Sequence, residues 1–144
     1  MKGPMDLDIL KKVIVLTSAM PSALETALNK AADEGWRLHD IACMAILKGG
    51  GIFIQAEGYY FEPNILIVEQ GDERRTYRCR ALSSGGRPDK DNALLNAEIE
   101  RQCAEGFRLA RLFPLTMVSA NPEQPSKGTW AFLMVFESSD PSRA

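Results

Sequence analysis

One helix-stop-strand segment occurs twice in this chain, and it constrains the fold more than any other feature. Residues 24–41 read LETALNKAADEGWRLHDI, and residues 95–112 read LNAEIERQCAEGFRLARL. At a constant offset of 71, which sets Gly106 against Gly35, Leu24, Glu34, Arg37 and Leu38 meet Leu95, Glu105, Arg108 and Leu109. Leu28 meets Ile99, Trp36 meets Phe107 and Ile41 meets Leu112. Apolar residues three or four apart mark one face of a helix. A glycine directly after the last acidic residue marks the left-handed position that ends it, where a side chain is strained. Gly35 and Gly106 are therefore both expected at positive φ, with an aromatic residue opening a strand after each.

The flanking residues extend the pattern. KKVIVL (11–16) is a β-branched run, which predicts a strand apolar on both faces. Ser22 and Glu25 fit a capping box, predicting a helix over 23–34 with Leu24, Leu28, Ala31 and Ala32 inward and Glu25, Lys30 and Asp33 toward water. A strand follows over 36–47. Leu38 and Ile41 cannot share one face of a regular strand, so either a bulge intervenes or both faces are covered. Gly49, Gly50 and Gly51 end it, a turn is expected at Glu57-Gly58 and another at Pro63-Asn64, and ILIVE (65–69) reads as a strand. The charged stretch 71–75 reads as a linker. In the second half ALSS (81–84) matches VLTS (15–18), a helix is expected over 92–105 with Asp89, Asp91 or Asn92 as its cap, and strands over 107–118 and 129–137. FLMV (132–135) matches ILIV (65–68).

Each half thus reads β-α-β-β. The helix between two strands makes them parallel by a right-handed crossover, and the last hairpin strand fits antiparallel between them. One such unit carries a single helix, too little to bury both faces of a three-stranded sheet. The expected fold is α+β: two fused βαββ repeats (11–70 and 75–137) related by a pseudo-twofold, with antiparallel or mixed sheets, two helices, and flexible termini at 1–10 and 138–144.

Glu34-Gly35-Trp36-Arg37-Leu38, followed by a hairpin ending in an apolar strand, resembles the bacterial and phage domain-of-unknown-function 4177 family. The resemblance implies two tandem copies covering most of the chain, the second departing at Phe107, where the family typically has tryptophan. It implies a fold and no catalytic residues.

Composition narrows the function classes. The chain has 144 residues and a formal net charge of −2, which argues against general capture of nucleic acid. No apolar run approaches the roughly 20 residues that span a bilayer. Asp6 and Asp8 interrupt any signal-peptide core, and Cys43, Cys79 and Cys103 form no CxxC, so a reducing cytoplasm is expected. His39 is the only histidine, so no metal site is expected, and its pairing with Asp40 or Cys43 as a general base is placed by no motif. No cofactor motif occurs. Cys103, opposite Ala32 on the inner stripe, and Cys43 read as structural, as does Cys79 despite its neighbours Arg78 and Arg80.

Two stretches stand out. Arg74, Arg75, Arg78 and Arg80 are the densest basic run, and alternation sets Arg78 and Arg80 on one face, able to grip a carboxylate or phosphate. The ordinary alternative is a solvated face paired with acids. The other is Ile52, Phe53, Ile54, Tyr59, Tyr60 and Phe61, an apolar excursion with a polar counterpart in the second half. Ile14 and Leu16, where the second half has Arg80 and Leu82, need cover from that hairpin or from a second chain. The reading is a non-enzymatic binding or assembly module that uses hairpin 52–61 to meet a protein partner or another copy. The alternative is a sensor holding a small anionic ligand between the repeats at Arg78 and Arg80.

Overall fold

The computed structural model describes residues 10–49, 56–71, 73–119 and 127–138. The elements run β1 (Lys11–Val15), α1 (Pro21–Asp33), β2 (Trp36–Gly49), β3 (Ala56–Gln70), β4 (Thr76–Ser83), α2 (Pro88–Ala104), β5 (Arg108–Ser119) and β6 (Lys127–Ser138). The fold is α+β, with two helices and a six-stranded sheet whose paired strands are all antiparallel. In the first half β3 lies between β1 and β2, Val68 facing both Lys12 and Leu38. In the second, β6 lies between β4 and β5. The two groups join where residues 58–61 of β3 pair with residues 116–119 of β5. This junction is one-sided: among the described residues β2 pairs with β3 alone.

Both helices end as expected, with Gly35 at φ 90° and Gly106 at φ 88°. Their starts differ from the expectation. Helix α1 begins at Pro21 with Met20 as N-cap and no side-chain cap, and α2 begins at Pro88 with Arg87 as N-cap. Proline suits the first helical position because its missing N–H has no partner there and its φ is preset. That preference outweighs the capping box, so Ser22 lies inside the helix. Glu25, expected in water, accepts a hydrogen bond from the Cys79 backbone N–H at 2.9 Å. In the loop before α2, Asp91 accepts the Ser84 hydroxyl (2.8 Å) and the Gly85 N–H (2.7 Å).

A register shift places His39 as an extra residue between Leu38 and Asp40, and another places Ala110 between Leu109 and Arg111. The bulge at His39 lets Leu38 and Ile41 both face the core. Two expected turns and an expected linker are corrected. Gly58 pairs with Lys48 and Ala56 with Gly49, so Glu57-Gly58 lies within β3 and is no turn. Pro63-Asn64 is no turn but an irregularity within β3, buried, where Asn64 and Leu16 exchange bonds from the Leu16 N–H to the Asn64 carbonyl and from Asn64 Nδ2 to the Leu16 carbonyl. The stretch 71–75 is no free linker: Arg74 pairs with Asp33, and buried Arg75 pairs with Glu137. The strand match also shifts by one. Arg37 stands opposite Glu69 and Arg108 opposite Glu137, so ILIVE (65–69) corresponds to LMVFE (133–137).

Burial is unequal between the halves. The main core joins Leu24, Leu28 and Ala32 of α1 to Leu38, Ile41 and Leu66 on one side and to Tyr77, Cys79, Leu133 and Val135 on the other. A smaller core joins Met134 and Phe136 to Phe107, Leu95 and Ile99 beneath α2. Strand β6 is therefore covered on both faces, by α1 and by α2. Strand β1 is covered on one. Ile14 and Leu16 pack against the main core, whereas Val13 and Val15 remain about 60% exposed, which reverses the expectation about which residues need cover. Cys103 is exposed rather than inward, because Glu98 and Gln102 take the buried positions on α2.

Candidate functional site

Arg78 and Arg80 extend from β4 on the face away from Tyr77 and Cys79, and each already has partners. Arg78 reaches Gln102 and Glu105, both at 3.0 Å, and lies 4.0 Å from the Phe107 ring centroid. Arg80 bonds the Cys79 carbonyl at 2.9 Å and approaches Glu25 at 3.5 Å. Lys12 stacks on Trp36 at 4.6 Å in the way Arg78 stacks on Phe107, so a cation over the aromatic residue that follows the helix-ending glycine recurs in both halves. Cys79 is buried, and burial pushes its thiol up to about 12, so it carries no thiolate at neutral pH. Cys43, though exposed, is also shifted upward by desolvation.

A polar cleft of about 330 Å³ lies where the two bulged strands approach. Its lining includes Arg37, His39, Glu69, Arg108, Arg111 and Glu137. Glu137 is buried, accepting the Tyr77 hydroxyl at 2.8 Å and Arg75 at 3.3 Å, with Arg108 at 3.6 Å and Arg37 at 3.8 Å. The same Tyr77 oxygen accepts the Leu38 N–H at 2.9 Å, so one hydroxyl bridges the bulge of β2 to the acid of β6. Burial, then the neighbouring Glu137, pushes the Tyr77 pKa far up, and its hydroxyl keeps its proton across the ordinary pH range. His39 sits 3.5 Å from Glu69 and 3.4 Å from Lys11, while Asp40 turns to the Ile41 N–H (2.8 Å) and Arg111 (3.4 Å). Those bonds hold the Asp40 carboxyl below its usual value, led by the backbone N–H of Ile41. The histidine and the aspartate next to it thus serve different partners, which is no acid-base pair. Sequence reasoning missed this cleft, although Arg37 and Arg108 were visible as identical residues at one repeat position.

A second, mainly apolar cleft of about 400 Å³ opens at the base of the β2–β3 hairpin. Met20, Tyr60, Phe61, Leu115 and Trp130 line it. Trp130 is the extra residue at a register shift in β6, 54% exposed, with its ring edge-on to Tyr60 at 6.4 Å. Met20 is 65% and Phe61 38% exposed. Of the hairpin residues singled out above, Ile52, Phe53 and Ile54 lie outside the described residues, and Tyr59 is described in backbone only.

No group of three or more His, Cys, Asp or Glu side chains among the described residues could hold a metal ion, and no helix among them is long and apolar enough to cross a membrane. No family model matches the chain, and no curated protein or solved structure is significantly similar to it.

Proposed function

We propose that this protein is a non-enzymatic binding and assembly module, two fused βαββ units of the domain-of-unknown-function 4177 type acting in the cytoplasm. Its hairpin arm, residues 52–61, mediates association with a protein partner or another copy. The observation that carries the reading is the apolar rim of the arm-base cleft. Met20, Phe61 and Trp130 leave large apolar surface in water at one place, and burying such side chains contributes about 1.5–3 kcal/mol each. The recurring order of elements, the paired glycines and the paired bulges support the duplication. The one-sided β3–β5 junction and the double cover of β6 fit a head-to-tail relation of the units better than the expected pseudo-twofold.

The test is Phe61→Ser with Trp130→Ser. An association surface predicts a folded protein of lower mass in solution, whose unfolding midpoint no longer depends on protein concentration. A rim that only covers its own chain predicts lower stability at constant mass, and that outcome refutes the reading.

A small anionic ligand remains the second reading, favoured by Arg37, Arg108 and Arg111 converging on the polar cleft. Three arginines line that one cleft, where Arg37 and Arg108 share the single acid Glu137 and Arg111 meets Asp40, whereas Arg78 and Arg80 each have an acid of their own, Glu105 and Glu25. Inorganic phosphate should raise the melting temperature of the parent and fail to raise that of Arg108→Glu with Arg111→Glu. Equal shifts in both proteins exclude the site.

A further inference from the structure

The first half leaves one sheet face bare, and the second half shows how the equivalent face is covered. Lys11 stands opposite Glu69 and Val13 opposite Ile67, as Tyr77 stands opposite Glu137 and Cys79 opposite Val135. Strand β4 at those positions is not bare. Asn29 of α1 accepts the Tyr77 N–H at 2.8 Å and donates to the Tyr77 carbonyl at 3.0 Å, and Glu25 accepts the Cys79 N–H. Two side chains on one helical face, four residues apart, thus close the edge of β4 while Leu24 and Leu28 cover its apolar side chains. The corresponding edge of β1 has no partner among the described residues, and Val13 and Val15 beside it are about 60% exposed.

We infer that a second copy of this chain docks its α2 on that face, repeating the packing of α1 on β4. At the repeat offset Glu25 and Asn29 correspond to Asn96 and Glu100, and both are exposed on α2. Asn96 takes the place of Glu25 against the Val13 N–H. Glu100 takes the place of Asn29 against Lys11, whose exposed ammonium complements its carboxylate. Cys103 and Ala104, small and exposed at the end of the same helix, leave room for close approach. Because the two surfaces differ, the contact is heterologous, and each chain offers one of each, so copies join into rings or open chains. This surface is separate from the arm-base cleft and stands whether or not that cleft binds anything.

Heterologous contact has a decisive test by mixing. Val13→Asp with Val15→Asp removes the sheet face and leaves the helix. Asn96→Arg with Glu100→Arg removes the helix face and leaves the sheet. Both pairs are made in a parent that carries Phe61→Ser and Trp130→Ser, so that the arm-base cleft contributes no contact, and each variant alone should run at the single-chain mass of 15.9 kDa while that parent is larger. Their equimolar mixture should form a complex of two chains and nothing longer, since only one productive contact remains. A mixture that stays monomeric, or variants that keep the parent's mass, overturns the inference. Should a double variant fail to fold, Lys11→Cys and Glu100→Cys on separate chains lacking Cys43 and Cys103 replace it. An interchain disulfide between the two types is expected, and none forming equally overturns the proposal.

Discussion

Tyr77→Phe removes one oxygen and leaves the ring, which is 1% exposed, in place. That oxygen accepts the Leu38 N–H at 2.9 Å and donates to Glu137 at 2.8 Å, joining the two halves through a buried site. The Leu38 N–H would lose its partner, and an unsatisfied buried donor costs about 1–3 kcal/mol. Glu137 keeps Arg75 at 3.3 Å, so its share is smaller, about 1 kcal/mol. The Asn29 bonds to the Tyr77 backbone are untouched. The expected loss is about 2–4 kcal/mol, which at a urea slope of ~2 kcal/mol per molar lowers the midpoint by about 1–2 M. Tyr60→Phe, in a half-buried ring at the cleft rim, is the control and should change stability by less than ~0.5 kcal/mol. Equal midpoints for Tyr77→Phe and its parent would refute the bridge.

Other outcomes follow from the same structure. Gly35→Ala and Gly106→Ala, with open space around each Cβ but φ near +90°, should each cost about 1 kcal/mol of strain in urea melts. Tyr77 and Cys79 both have folded pKa values above their ordinary 10.0 and 9.0, so the unfolded chain releases protons first as pH rises. Stability measured by urea should therefore be unaffected by these groups below pH 9 and fall progressively above it, and Tyr77→Phe should flatten the part above pH 10.

Local signals carried much of the fold. Glycine after an acidic residue located both helix ends, and the odd spacing of Leu38 and Ile41 left either a bulge or two covered faces, of which the register shift at His39 is the first. Helix starts were misplaced because Pro21 and Pro88 compete with polar caps, and both signals are strong. The turn expected at Pro63-Asn64 failed because the same residues also make an irregularity inside one long strand, and only pairing with β2 distinguishes the two. The sites were harder to see. Arg37, Arg108 and Glu137 converge across the junction of the halves, and Glu25 was spent on the edge of β4, contacts between residues distant in sequence that no local pattern encodes. The unequal cover of β1 and β4 was misread for the same reason: alternation marked both faces of KKVIVL as apolar but could not say which face α1 would take.

Self-association of this chain stands or falls on its mass in solution. Sedimentation velocity over a wide range of protein concentrations measures it directly. The account predicts species heavier than the 15.9 kDa chain that dissociate on dilution. A single species of 15.9 kDa at every concentration, in the absence of any other protein, would contradict self-association through either surface.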